Sequence, residues 1–166
     1  MTADSLRTRT FEWEDPMIGA TAARTMSGMD YLNAMLRGEI PRPPISHTMD
    51  FVLESCSEGR AIFTVTPSEF HYNPIGMVHG GLAATLLDSA LGCAVHTTLP
   101  AGAGYTTLEL HINLVRAITK DSGTLRAEAE IVHLGRTLGT AQARLSGLDG
   151  KLYAHGTTTC MIFRPD

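Results

Sequence analysis

Apolar and polar residues alternate along the second half of the chain with the period of two that is typical of β-strands. Within 106–115, Leu108, Leu110, Ile112 and Leu114 alternate with Thr107, Glu109, His111 and Asn113. The same alternation recurs over 125–131 and 141–145, and Asp149-Gly150 predicts a hairpin turn into a last strand over 153–163. This half is therefore predicted to be a run of antiparallel strands.

The first half combines a short helix with two strands. Apolar residues at helical spacing predict a helix over 27–36, and the proline-rich segment 41–44 predicts an extended connector. β-Branched and aromatic residues predict strands over 48–56 and 60–66, joined by a turn at 57–59. Residues 1–25 are mixed in polarity, and we expect the beginning of the chain to be poorly fixed.

The longest apolar run predicts a central helix between these two halves. It begins at Gly80-Gly81, continues to about Thr98, and is followed by Pro100, Gly102 and Gly104. Its small residues would allow a curved sheet to approach the helix closely. Because one sheet and one long helix must each bury an apolar face, the pattern indicates an α+β fold in which the sheet wraps around the helix.

Composition narrows the class of protein. With 166 residues, 43% apolar and 18% charged residues, the chain is expected to form one soluble domain. A net charge of −4 argues against a general nucleic-acid binder. Three widely spaced cysteines without a CxxC motif argue against a disulfide framework or a zinc site, and favour the cytoplasm. No signal peptide is expected, because residues 1–16 are polar and lack an apolar core. No membrane span is expected either, because the most apolar run is short and contains Asp88.

The central helix also carries the candidate chemistry. A helix that begins on glycines offers free N–H groups at its positive end, where an oxygen that gains negative charge can bind. Asp88 lies about two turns further along the helix, among apolar neighbours. A polarising helix end and a candidate base indicate acyl transfer or hydrolysis. Asp88 could also be a structural acid, and the two glycines could serve only close packing.

Asn73, His79-Gly80-Gly81 and Asp88 stand at a characteristic spacing, and Thr107 and the run 133–136 follow in the strands. With this layout, residues 31–163 resemble the hotdog superfamily, specifically the phenylacetate-pathway (PaaI-like) acyl-CoA thioesterases. The resemblance implies a hotdog fold: a curved antiparallel sheet wrapped around one long central helix, with a short N-terminal helix. It divides the chain into an N-terminal extension, 1–45, and a hotdog domain, 46–166.

The resemblance also implies roles for individual residues. The Gly80 N–H would polarise the thioester carbonyl, and Asp88 would act as general base or as nucleophile. Asn73 would position the thioester or water, and Thr107 would orient the water or Asp88. His79 would shape the turn and could form a hydrogen bond near the carbonyl site. The candidates for substrate binding are Gly81 together with three possible ligands of the coenzyme A phosphates: Arg116, Lys120 and Arg136.

Each of these residues has an ordinary structural alternative. Asn73 precedes Pro74 and could serve only a turn, and the three cations could be solvated surface charges. The remaining histidines lack ligand spacing, so no metal site is predicted. The strict alternation of the strand over 106–115 places Thr107 on the polar face, away from the helix.

The function expected from the resemblance is hydrolysis of aryl- or short- to medium-chain acyl-CoA. The predicted protein is a homodimer or homotetramer with active sites between subunits. It needs no cofactor, since coenzyme A is part of the substrate, and it binds no nucleic acid, membrane or metal. The alternative is a non-catalytic acyl-CoA sensor on the same fold, and a hydratase is a third possibility. Asp88 favours the hydrolase, because a binding protein gains nothing from a desolvated carboxylate there.

Overall fold

The computed structural model of the protein describes residues 6–164. Four α-helices and six strands follow one another in this part of the chain: α1 (Pro16–Ala23), α2 (Gly28–Leu36), α3 (Pro44–Met49), β1 (Phe51–Ser57), β2 (Arg60–Val65), α4 (Gly80–His96), β3 (Gly104–Leu114), β4 (Leu125–Leu134), β5 (Leu138–Gly147) and β6 (Leu152–Phe163). Single 3₁₀ turns lie at Glu69–His71 and Lys120–Ser122.

The six strands form one antiparallel sheet in the order β1-β2-β4-β5-β6-β3. α4 packs against all six strands, which requires the sheet to curve around the helix. Small residues make this close approach possible, since Ala83, Ala90 and Ala94 are fully buried beside Leu86 and Leu87. The predicted α+β hotdog architecture and its central helix are confirmed.

β3 departs from the predicted alternation at one position. Thr107 pairs with Cys160 and Glu109 pairs with Thr159, so Leu108 is an extra residue that forms a β-bulge. The bulge moves Leu108 outward, where it is 53% exposed, and turns Thr107 towards α4. The prediction that Leu108 faces the core and that Thr107 faces away from the helix was wrong, because the alternation changes phase at the bulge.

Two predictions in the first half were also wrong. Pro44 does not continue an extended connector but stands in the first turn of α3, where its missing N–H costs nothing. α3 ends at Met49, and the next residue, Asp50, has a left-handed backbone with φ 56°, so the first strand begins at Phe51 and not at 48. Residues 16–23, for which no helix was predicted, form α1, capped by the Asp15 side chain. Residues 1–5 lie outside the described residues.

Hydrogen bonds and a cation–π contact hold the N-terminal elements against the rest of the domain. α2 begins as predicted, with Ser27 as N-cap, and the Gly28 N–H donates to the Leu99 carbonyl at 2.9 Å. Arg9 donates to the carbonyls of His47 and Thr48 at 2.6 and 2.7 Å. Its guanidinium also lies 3.9 Å from the centre of the Phe70 ring. Residues of α2 and α3 thereby pack beside the edge strand β1.

The contact of Gly28 with α4 yields a prediction about stability. A Cβ at Gly28 would lie 1.7 Å from the His96 carbonyl oxygen, a backbone atom that cannot move aside. We expect Gly28→Ala to lower the free energy of unfolding by about 1–3 kcal/mol, the typical cost of overpacking. Chemical denaturation would measure the change. Gly104→Ala is the matched control, because a Cβ there meets no atom within 4 Å; equal stability of the two variants would contradict the prediction.

Candidate active site

The first turn of α4 presents one unused backbone donor. His79 caps the helix, since its Nδ1 accepts the Gly81 N–H at 2.8 Å, and its carbonyl accepts the Leu82 N–H at 3.0 Å. Within residues 6–164 the Gly80 N–H has no hydrogen-bond partner. Gly80 lines a cavity of about 310 Å³. A free N–H at a helix N-terminus is suited to bind a carbonyl oxygen that gains negative charge.

Asn73 holds the loop that faces this donor. Its Oδ1 accepts the N–H groups of Ile75 and Met77 at 3.1 and 3.2 Å, which closes the turn before α4. Asn73 lines the same cavity as Gly80. Since the oxygen is engaged in the turn, the side-chain NH₂ is the group that can donate to a ligand. Asn73 therefore has a structural role in the loop and retains a donor for the cavity.

Asp88 and Thr107 meet at a second place on α4. The Thr107 hydroxyl donates to Asp88 Oδ1 at 3.0 Å, a contact that the bulge at Leu108 makes possible. Both residues are half-buried and line a cavity of about 350 Å³. The hydroxyl fixes one carboxylate oxygen, and in the described part of the chain Oδ2 has no hydrogen-bond partner. The arrangement leaves one oriented oxygen to accept a proton or to attack a carbonyl.

The cavity beside Asp88 lies between the two edge strands of the sheet. Its walls come from α2, α3, β1, β2, α4 and β3, and most of them are apolar: Tyr31, Leu32, Met35, Phe51, Leu53, Phe63 and Tyr105. The rings of Tyr31 and His96 are 5.5 Å apart, and those of His96 and Tyr105 are 5.4 Å apart. A cavity with these walls is suited to an organic acyl group. α3 was not predicted from the sequence, and neither was its contribution to this cavity.

Burial favours the neutral form of three ionisable groups in this cavity, Cys93, His96 and Tyr105. Burial raises the pKa of the Cys93 thiol to about 12, so at neutral pH it is not a thiolate nucleophile. Burial lowers the pKa of His96, which favours the neutral ring. Burial also raises the pKa of Tyr105, which hydrogen-bonds to Cys93. Asp88 is therefore the group in this cavity best suited to act as base or nucleophile.

The predicted phosphate ligands are not brought together in one chain. Arg116 lines the Gly80 cavity, and its Nε donates to the Leu152 carbonyl at 3.2 Å. The Lys120 N–H donates to the Tyr72 hydroxyl at 3.0 Å. Arg136 follows β4, close to Gly139, which packs on Val95 near the other end of α4. Arg116 is thus the predicted cation that accompanies Gly80, whereas Arg136 lies towards the opposite end of the helix.

Gly80 and Asp88 also lie apart. They are eight residues apart on one helix, which corresponds to about 12 Å along its axis. They line different cavities. A single thioester carbonyl cannot contact both groups of the same chain. The Gly81 N–H donates to His79 Nδ1, so it is not available to bind a substrate.

Residues 6–164 contain no group of three or more His, Cys, Asp or Glu side chains placed to hold a metal ion. In the same part of the chain, no helix combines the length and the apolar character needed to cross a membrane.

Comparison with known sequences identifies the protein family. A model of the thioesterase superfamily matches residues 75–154. Human acyl-coenzyme A thioesterase 13 is 32% identical over 108 residues, which are 64% of this chain and 76% of that protein. Curated relatives from Halobacterium salinarum and Pseudomonas aeruginosa match at 42% and 36% identity over 44% and 54% of their lengths. The chain thus spans about half the length of these two relatives.

Solved structures resemble the whole domain. A phenylacetic acid degradation-related protein from Ralstonia eutropha is 34% identical, with a TM-score of 0.71 over 79% of this chain and 98% of that one. The PaaI protein from Escherichia coli has a TM-score of 0.70 over 84% of this chain and 96% of its own. At 22% identity, this second likeness is one of fold alone.

The cap on α4 yields the prediction for this site. His79→Ala removes the acceptor of the Gly81 N–H, and we expect it to lower the free energy of unfolding by about 1 kcal/mol, the usual cost of losing an N-cap. His79→Asn restores a side-chain acceptor and should recover most of the loss. Urea denaturation of the three proteins would test this. If asparagine were no better than alanine, His79 would stabilise the protein by some contact other than the cap.

Proposed function

The chain belongs to the thioesterase superfamily, and on that basis we propose that it hydrolyses the thioester of an acyl-coenzyme A to a free acid and coenzyme A. The observation that carries the proposal is the pair of groups on α4: the unpartnered Gly80 N–H and the Asp88 carboxylate oriented by Thr107. A polarising donor and a base are the two functions that hydrolysis of a thioester requires.

We propose that each active site is formed by two copies of the chain. The 12 Å estimated along α4 between Gly80 and Asp88 supports this, since the two groups of one chain cannot serve the same carbonyl. β3 is an edge strand of eleven residues and offers unpaired backbone groups to a second copy. In a symmetric dimer the Gly80 of one subunit would serve the Asp88 of its partner, and two equivalent sites would form.

In this site the reaction would proceed through a tetrahedral intermediate. The thioester carbonyl oxygen would accept the Gly80 N–H, and Arg116 beside that donor would meet a phosphate of coenzyme A. Asp88 would either remove a proton from water or attack the carbonyl itself, with Thr107 holding the carboxylate in both cases. In the first route the water oxygen bonds to the acyl carbon, the C–S bond breaks, and coenzyme A leaves as the thiol with the proton that Asp88 removed from water. In the second route the C–S bond breaks as Asp88 forms a mixed anhydride, and water then hydrolyses this anhydride to the free acid and the Asp88 carboxylate, with a water proton passing to the coenzyme A thiolate.

The other predicted residues take smaller parts in this proposal. Asn73 would donate its NH₂ to the thioester or to the attacking water, and Lys120 would assist Arg116. Arg136 could serve coenzyme A only from the far end of α4 or from another subunit. The apolar walls of the Asp88 cavity support an aryl- or short- to medium-chain acyl group. The unpaired cysteines among the described residues are compatible with a cytoplasmic location.

The alternative is a sensor that binds acyl-CoA without cleaving it. Such a protein would use the same apolar cavity but would have no use for an oriented carboxylate. The hydrogen bond from Thr107 to Asp88 favours the enzyme, because it holds an acid ready beside a ligand cavity.

The direct test of hydrolysis compares the wild type with Asp88→Asn. The asparagine can still accept the Thr107 hydroxyl but cannot act as base or nucleophile, so we expect a loss of about 10²-fold or more. Free thiol released from a panel of acyl-CoA substrates would measure the rate. Glu58→Gln, in the exposed turn between β1 and β2, is the matched control and should keep full activity. Binding without release in the wild type would favour the sensor.

The role of Gly80 and the shared site can be tested together. Gly80→Pro removes the N–H at a position where proline is compatible with a helix, and we expect a loss of about 10²–10³-fold. Gly80→Ala is the control, because it adds the same Cβ against the flexible end of Leu114 but keeps the N–H.

Mixed dimers distinguish a shared site from one within a single chain. A dimer of one Asp88→Asn chain and one Gly80→Pro chain contains one intact site if the two groups come from different chains. We expect such a dimer, isolated with two affinity tags, to recover about half of the wild-type rate, since one of its two sites is unaltered. A mixed dimer as inactive as either parent would show that both groups act within one chain.

A further inference from the structure

One charged side chain in the Asp88 cavity has no part in the chemistry proposed so far. Arg42 lies just before α3 and lines this cavity together with Asp88. Among the residues that line the cavity, Arg42 and Asp88 are the two with a formal charge at neutral pH. Both are half-buried. A cation in an otherwise apolar cavity needs an explanation, since an unpaired charge loses hydration without compensation.

Arg42 has no counter-ion within the described residues. In residues 6–164 no carboxylate lies within 4.0 Å of its guanidinium, and its recorded contact is a long one, 3.5 Å from Nη2 to His47 Nδ1. The half-buried Arg126, in contrast, pairs with Glu54 and Glu128. The guanidinium of Arg42 therefore keeps donors that a ligand in the cavity can use.

The two charges lie towards opposite sides of the cavity. Asp88 is bonded to Thr107 of β3, whereas Arg42 leads into α3, which packs against β1 at the other edge of the sheet. Leu32, Phe51 and Phe63 also line this cavity. An acyl group whose thioester lies at Asp88 would extend along this apolar surface towards Arg42.

We propose that the acyl group ends in a carboxylate and that Arg42 binds this carboxylate, so that the substrate is the coenzyme A thioester of a dicarboxylic acid. A carboxylate matches the planar fork of a guanidinium and provides the missing counter-ion. This proposal rests on the proposed hydrolysis for its substrate, but the selection by Arg42 can be measured through binding alone. A phosphate of coenzyme A could offer Arg42 the same charge, and the test separates the two sources.

The test compares acyl groups of equal length with and without the terminal carboxylate. Adipoyl-CoA and hexanoyl-CoA form one pair, and the four- and eight-carbon pairs cover other lengths. We expect the wild type to prefer the dicarboxylic member of at least one pair by about 10-fold or more in kcat/KM, the effect of one charge-assisted hydrogen bond. Arg42→Gln should abolish this preference, chiefly by lowering kcat/KM for the dicarboxylic member of the pair, and a thermal melt would show that the variant is folded.

Two further variants sharpen the result. Arg42→Lys keeps the charge and should retain part of the preference, whereas Arg37→Gln changes an exposed arginine that pairs with Glu39 outside the cavity and should retain all of it. A wild type without preference in every pair would overturn the proposal. So would an equal loss for both members of a pair in Arg42→Gln, because Arg42 would then bind a phosphate common to both.

Binding keeps this test separate from the test of hydrolysis. The thioether analogues S-(5-carboxypentyl)-CoA and S-hexyl-CoA cannot be hydrolysed, and calorimetry would give the Kd of each. A carboxylate preference that depends on Arg42 in binding, without turnover of any acyl-CoA, would support the selection and refute the hydrolysis. Turnover of plain acyl-CoA with no such preference in either measurement would do the reverse.

Discussion

Closing a single six-stranded sheet around one helix is the constraint on which the other features of this protein depend. A sheet curved in this way brings its two edge strands, β1 and β3, to either side of the same helix and leaves a seam between them. α4 would be exposed to water along this seam if nothing lay over it. Parts of α2 and α3 line the space beneath, and the cavity that contains Asp88 is the part of the seam that side chains leave unfilled. The candidate site is therefore a consequence of how the sheet closes.

The one-residue bulge in β3 determines which side chains face this seam. Without the bulge at Leu108, the alternation of β3 would direct Thr107 to the outside and leave Asp88 without its hydroxyl partner. The bulge also turns Leu108 outward at the edge of the sheet. Bulges of this kind are common beside functional sites, because they redirect one side chain and leave the rest of the strand in register. Here the register beyond the bulge continues with Leu110 and Ile112 packed against the core.

The elements predicted well from the sequence are those fixed by local pattern. The start of α4 follows from its glycines, and α2 follows from helical spacing and the Ser27 cap. The bulge could not be predicted, because strict alternation in the sequence carries no mark of an extra residue. α3 was missed since prolines fit both an extended segment and the first turn of a helix. Of the site, the neighbourhood of Gly80 follows from the motif, whereas the walls supplied by Tyr31, Met35 and Arg42 depend on tertiary packing that local patterns do not encode.

Two separate parts of the chain form the cavity beside Asp88, and they have different roles. The groups proposed for bond cleavage lie on α4, which packs against all six strands, and on β3 beside it. Much of the opposite wall comes from the helices that precede the sheet, which touch the core along one side only. Substitutions there can alter which acyl group is accepted while the catalytic geometry stays as it is. Substrate selectivity can therefore change through the segment that contains α2 and α3. Related chains could differ in substrate by substitutions in this segment and still catalyse the same reaction.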